Sequence, residues 1–379
     1  MSMMKPIFRQ WNRLVGGGGE FSVTVPVMDG PLKPNNLVDE AESLLVCPGA
    51  DNVVADGERL LFSQGAKLLE WDRSGRLSEV ASLDANVTAI AVGPDGSIAA
   101  GLVGAGVEII GSDGGRRRIE GCNGERLSCV TDLCFLADGT LAIGNGSRMF
   151  TPERWSHDLL DHGASGFVAL AGKTDGEAKP IVDGLRYPSG LCTIEGSCER
   201  LAVSETWSHR VIEVSIPDRK VTRTLVDRLP SYPARIRALP EGGYVLANHS
   251  VRSQLVEFVL REKRYLRRMR EEVAPEYWIA PTYRSGDSFK EPLQAGGIIR
   301  LGIHKPWAPT RSYGLLVGLS PDFRPVWSAH CRADGNRHGL TSVVPFDGGL
   351  ATVAKSNGEL VWLNMPGGED VPAKGRSQA

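Results

Sequence analysis

The sequence predicts an all-β protein, a six-bladed β-propeller with four antiparallel strands per blade and a helical insertion in blade five. Three observations carry that expectation. Apolar and polar residues alternate with period two in short runs, as in Val211, Glu213 and Ser215 against Ile212, Val214 and Ile216, with Gly and polar clusters between runs. An acidic residue followed by Gly separates two apolar runs at Asp56-Gly57, Asp95-Gly96, Asp138-Gly139, Glu195-Gly196, Glu241-Gly242 and Asp347-Gly348. Such pairs suit tight hairpins, because Gly accepts positive φ and the carboxylate bonds nearby backbone N–H groups. The pairs recur mostly at about 40–50 residues, and a repeat of that length made only of strands points to propeller blades.

In chain order, residues 1–36 read as a lead-in. Its first part ends in Gly16-Gly17-Gly18-Gly19, a flexible composition. Residues 21–27 alternate as a strand or a clamp across one face. Residues 37–46 supply the outer strand of the last blade, which removes a free edge and ties the two ends together. Blade one is expected over 47–83, blade two over 84–122 and blade three over 123–182, with an extra loop at 151–165. Blade four covers 183–228, and its segment 187–216 is the clearest meander in the chain. Blade five starts near 229 and is interrupted by an insertion at about 258–312. Within it VLREKRYLRRMREEV is the one convincing helix, with Tyr265, Leu266 and Met269 on a common side and Arg and Glu around the rest. That helix is expected as a lid over the channel mouth, and 285–312 as loop. The propeller ends near 365, leaving 366–379 as a tail.

Composition narrows the function classes. A net charge of −2 gives no general drive towards nucleic acid or an anionic membrane. Seven cysteines lack paired metal-like spacing, and Cys134 and Cys192 sit inside apolar strands, which suits buried thiols in a reducing cytoplasm. No apolar stretch reaches signal-peptide or membrane-spanning length, so a cytoplasmic protein without an integral membrane segment is expected. GGGG follows no strand and lacks the Lys of a phosphate loop, and no Gly-x-Ser-x-Gly elbow or zinc spacing occurs.

The meander geometry locates a candidate site. The start of each innermost strand and the end of its second strand share one rim, and six such pairs converge on one mouth of the channel. Asp51, Asn52, Thr88, Thr131, Asp132, Ser189, Ala234, Arg235 and Thr341 lie at the first set of positions. Gln64, Asn145, Glu205, Asn248, His249 and Lys355 lie at the second. A mouth this polar is where a propeller holds a small-molecule ligand. Glu205 and His249 are the candidate acid–base residues. Arg235, Asp132, Thr131, Ser189, Asn145 and His338 are the candidate substrate-binding residues. Lys355 is a candidate for Schiff-base chemistry.

The stretch YPSGL…ERLAVSETWSHRVIEVSI resembles the fourth blade of strictosidine synthase-like proteins, relatives of the SMP-30/gluconolactonase and paraoxonase families. Tyr187, Gly190, Glu205, Thr206, His209 and Arg210 match the usual pattern, while Ser189 replaces an Asn. LPSYPARIRALPEGGYVLAN, GLLVGLSPDFRPVWSAH and GLTSVVPFDGGLATV extend the resemblance over roughly residues 38–365. It implies a six-bladed propeller and an enzyme acting on a small organic molecule at the channel mouth. The activity implied is lactone or ester hydrolysis, or a metal-independent condensation like that of strictosidine synthase. A propeller that binds or scaffolds without catalysis is the alternative. The lactonase relatives hold calcium or a similar ion on Glu, Asn, Asn and Asp at these strand starts. Here Asp51 and Asn52 are the remaining metal-ligand candidates, Thr131 and Ser189 replace the two Asn residues, and Ala234-Arg235 replaces Asp-Asn. No cofactor is predicted, calcium being the ion to expect if the altered site still works. Arg235 is expected to take over the ion's electrostatic role.

Overall fold

The computed structural model describes residues 25–285, 290–292, 299–300, 303–304 and 311–366. The expectations for residues 1–24 and for the tail from 367, and most of those for 285–312, lie outside the described residues. Three sheets have four antiparallel strands in simple chain order, over residues 50–82, 87–119 and 188–226. A fourth meander, Val130–Phe135 through Glu177–Leu185, carries an extra hairpin of Gly121–Cys122 and Glu125–Arg126 on its outer edge. The last two four-strand sets are joined into one sheet by a single bridge between Asn248 and Leu340. Strand Glu42–Val46 completes the second of these by pairing antiparallel with Glu359–Asn364.

The local chemistry follows the hairpin signals. All six acidic-Gly pairs fall between the first and second strands of their sheets, and each of those glycines has φ between 60° and 95°. Apolar residues alternate along the strands and fill clusters between successive sheets. Val54, Leu68 and Ile90 join the first two, Ile109 and Phe167 the next, and Val182 and Val203 the next. Tyr244 packs in the cluster shared with Ala202 and Val211, Leu316 in that shared with Leu350, and Val353 in that shared with Leu60 and Phe62. The cycle of apolar interfaces therefore returns to the first sheet, and the first strands of successive sheets also touch in a closed circuit. Each interface buries several large side chains, each worth about 1.5–3 kcal/mol relative to exposure.

Two segments leave the meander on one rim. Residues 151–165, expected as a loop, contain a 3-10 turn and the helix Trp155–Leu160, here α1. Between Tyr244–Val251 and Gly314–Leu319 lie α2, Gln254–Val259, and α3, Lys263–Glu272. Ser253 caps α2 by accepting from Val256 N at 3.2 Å. Val256, Val259, Leu266 and Met269 pack in one cluster with Trp155, Leu159, Tyr187 and Trp207. Arg270 of α3 pairs with Asp161 just beyond α1. No helix among the described residues is long and apolar enough to cross a membrane.

Gly190 shows how closely the central strands approach. A methyl group there would lie 2.3 Å from Ala234 O and 2.9 Å from Arg235 Cα, both backbone atoms that cannot swing away. Gly190→Ala is expected to lose about 1–3 kcal/mol of stability. Urea unfolding checks it, and an unchanged midpoint would refute the close approach.

Candidate functional site

Every first strand breaks its register with the second strand near its start. The ladder skips Asn52 and Val53, Thr88, Thr131, Ser189, Ala234 and Arg235, and Thr341 and Ser342. A bulge of this kind bends the strand and re-aims the unpaired residue, which is how the strand starts turn inwards. Thr88, Thr131, Ser189, Arg235 and Thr341 all line a cavity of about 390 Å³. Asp51, His249 and Lys355 line it too, with Trp155, Tyr187 and Tyr283 as aromatic wall. Asn86, which also lines it, donates to Glu153 Oε1 at 3.2 Å, linking the rim to the segment that carries α1.

Asp51 is the anionic centre of this wall. Lys355 Nζ donates to its Oδ2 at 2.6 Å, while Thr341 Oγ1 and Asn52 N donate to Oδ1 at 3.0 and 2.8 Å. Burial by itself pushes the carboxyl up, but the Lys355 and Arg235 charges and the Lys355 and Asn52 hydrogen bonds hold it below the usual range. Lys355 Nζ also lies 4.5 Å from the centre of the Tyr283 ring, a cation–π contact.

His249 is buried and stacked on Trp155 with ring centres 5.8 Å apart. Its Nδ1 and Tyr283 Oη are hydrogen-bonded at 2.8 Å, and its Nε2 has no hydrogen-bond partner among the described residues. Burial, then the Lys355 and Arg235 charges, push its pKa down to about 3. The ring is therefore uncharged near neutral pH. Thr88 Oγ1 is likewise buried and without a partner among the described residues.

Arg235 is 6% exposed and reaches across the centre. Its Nη2 donates to Thr88 O at 2.5 Å, Asn52 Oδ1 at 2.7 Å and Thr131 O at 3.0 Å, and Nη1 to Thr341 O at 3.3 Å. Its Nε lies 3.3 Å from Asp132 Oδ1.

The other sequence candidates fall into two groups. Thr131 and Ser189 are on the cavity wall, but their hydroxyls bond the fold: Thr131 Oγ1 donates to Pro188 O at 2.5 Å, and Ser189 Oγ to Pro233 O at 3.0 Å. Asp132, Asn145, Glu205 and His338 do not line the cavity. Asp132 is fully buried under a two-pronged contact from Arg237, at 2.8 and 2.9 Å. Asn145 accepts from Cys129 N and donates to Ser147 O. Glu205 accepts from Arg186 N at 2.9 Å and Arg210 Nε at 2.5 Å. His338 is bonded through both ring nitrogens, to Ser312 Oγ and Arg332 O.

Sequence reasoning missed Tyr283, Trp155 and Arg237 as parts of this centre. Only the Arg-x-Arg spacing at 235–237 carried a local signal for one of them. Among the described residues, no group of three or more His, Cys, Asp or Glu is placed to hold a metal.

No family model matches the chain. Over 132 residues it is 30% identical to the adipocyte plasma membrane-associated protein of Salmo salar and 28% to that of Danio rerio, covering 34% of this chain. The match spans 32% of those relatives' length. Among solved structures, a gluconolactonase from Xanthomonas campestris superposes with a TM-score of 0.56 at 13% identity, covering 90% of this chain and 97% of the other. Regucalcin from Agrobacterium tumefaciens, described as a calcium-binding protein, gives a TM-score of 0.52 at 12% identity, with 86% and 93% covered. A luciferin-regenerating enzyme gives 0.52 at 14% identity, with 86% and 94% covered. By fold, the chain is a β-propeller, similar in architecture to these gluconolactonase and regucalcin structures.

Proposed function

We propose that the sheets form a six-bladed propeller over about residues 37–365, whose mouth is the site of an enzyme hydrolysing a small lactone or ester. The observation that carries this is the wall of the 390 Å³ cavity, where His249 Nε2 and Thr88 Oγ1 lack partners among the described residues beside the Asp51–Lys355 pair. Buried polar atoms ordinarily have partners, so unpaired ones around a cavity support a ligand or a bound water. The gluconolactonase among the structural relatives supports the lactone class.

In this reading the substrate carbonyl lies against the Lys355 ammonium, which stabilises the oxyanion formed on attack. When His249 donates Nδ1–H to Tyr283 Oη, its Nε2 keeps a lone pair and takes a proton from the attacking water. That proton then passes to the departing alkoxide, leaving a carboxylic acid and an alcohol, joined as a hydroxy acid if the substrate was a lactone. A pKa near 3 makes His249 a weak base, so the fixed charge of Lys355 carries more of the acceleration. Helices α2 and α3, with Tyr283 reaching the cavity from the chain after them, act as the lid.

The residues do not favour calcium. The channel-facing oxygens surround the Arg235 guanidinium, and Asp51 is already bonded to Lys355. A binding propeller without catalysis is the second reading, favoured by the Asp51–Lys355 pair on the cavity wall.

The test is turnover of a panel of lactones and aryl esters in the presence of a chelator. Activity is expected to persist there, with a pH profile free of a His249 inflection between 5 and 8. Lys355→Met is expected to lower kcat/KM by about 1,000-fold and His249→Gln by about 100-fold, both while leaving the fold intact. Small molecules that bind at the cavity with no turnover of any panel member would instead establish the binding reading.

A further inference from the structure

The same bulge occurs at the start of all six first strands, and its consequence is a ring of oxygens around the channel axis. Thr88, Thr131 and Thr341 are each skipped by their ladders, so their carbonyl oxygens are not committed to the neighbouring strand at those positions. All three turn instead to one group, the guanidinium of Arg235, which is itself carried by a fifth strand's bulge. Asn52 Oδ1, from the first sheet, joins them at 2.7 Å. One terminal nitrogen with two hydrogens thus has three oxygens within 3.0 Å, a crowding closer to ion coordination than to ordinary pairing. Two carboxylates complete the surroundings. Asp132 Oδ1 lies 3.3 Å from Nε, and the Asp51 carboxyl is held down partly by the Arg235 charge.

We propose that this ring is a cation site built from four strands, and that Arg235 is its permanent occupant. A guanidinium is charged at every physiological pH, planar, and able to donate in several directions at once, so it can satisfy oxygens that converge from different strands. It pins the strand starts together, and it shapes the cavity floor by holding the Thr88 and Thr131 backbones. A divalent ion brought to the same oxygens would meet a fixed positive charge at contact distance and is excluded. The role assigned to Arg235 is positional and electrostatic. It is independent of whether the cavity hydrolyses anything.

The test is cation binding and thermal stability, with no dependence on activity. Isothermal calorimetry of the unaltered protein with calcium alone is expected to give no binding tighter than about 1 mM, because the guanidinium holds the oxygens. Arg235→Ala is expected to be destabilised and to open the site. Ethylguanidinium at a few mM is expected to raise the melting temperature of that variant and not of the unaltered protein. Calcium is expected to bind the variant at least about 10-fold tighter than the unaltered protein, a gain of about 1.4 kcal/mol. Arg235→Lys keeps a charge with fewer donors, covers the case in which the alanine variant fails to fold, and is expected to fold with reduced stability and still exclude calcium. Micromolar calcium binding by the unaltered protein would overturn the proposal. So would an Arg235→Ala protein as stable as the original, or a folded one rescued by neither cation. So, too, would an Arg235→Lys protein that binds calcium.

Discussion

Asp132→Ala is expected to lose about 3–5 kcal/mol of folding stability, the usual result of removing one partner from a buried ion pair. Asp132 has no exposed surface, and its oxygens accept from Arg237 Nη1, Arg237 Nη2 and Leu191 N at 2.8–2.9 Å. Arg235 Nε stands 3.3 Å away, so a single buried carboxylate offsets two guanidiniums. Removing it leaves two largely buried guanidiniums without their carboxylate partner. Asp132→Asn keeps an acceptor and is expected to lose less. Asp132→Ala combined with Arg237→Met is expected to recover part of the loss, since the second charge is then gone. Urea unfolding of the three variants measures the ranking, and a loss below 1 kcal/mol for the alanine variant would show the pair to be dispensable.

Lowering the pH from 7 to 5 is expected to remove several kcal/mol of stability, through three buried histidines. His249 is held to about 3, by burial first and then by the Lys355 and Arg235 charges, with Asp51 opposing. His209 is held to about 4 by burial and Arg252, with Glu257 opposing, and His330 to about 4 by burial and Arg332. The unfolded chain takes up these protons near pH 6.5, whereas the folded protein refuses them until far lower pH. The unfolded state therefore binds more protons between those values, and stability must fall as pH falls. The contribution is fully present above about 6.5 and declines towards 4. At 1.36 kcal/mol per unit, each histidine accounts for about 2 kcal/mol at pH 5, or about 6 kcal/mol for the three. Urea midpoints at pH 7 and 5 measure the slope. His209→Gln and His330→Gln are expected to flatten it, and equal midpoints in the unaltered protein would contradict the buried neutral state of these rings.

Much of the architecture was legible because it is written in local chemistry. The six acidic-Gly pairs specify hairpins through backbone conformation alone, and all six glycines have positive φ. Period-two alternation identifies the strands, and the return of strand Glu42–Val46 to the last sheet follows from the need to cover an edge. The strand starts were legible for the same reason, since each follows a recognisable run. The helix at Trp155–Leu160 was not, because its apolar face is completed by Val256, Leu266 and Met269, about a hundred residues away. A helix of 6 residues has too little internal stability to announce itself without that packing.

Position in a meander depends on turns and periodicity, so the sequence places Asp51, Ser189, Arg235, His249 and Lys355 at strand ends, and these line the cavity. The sequence did not determine which of them remain available to a ligand. That was decided by distances between strands remote in sequence: Arg237 takes Asp132, Arg210 takes Glu205, Ser312 and Arg332 O take both nitrogens of His338, and Tyr283 comes from an insertion to meet His249. A side chain's chemistry depends on the charges and dipoles within a few ångström of it. Those neighbours are set only when the ring of sheets closes.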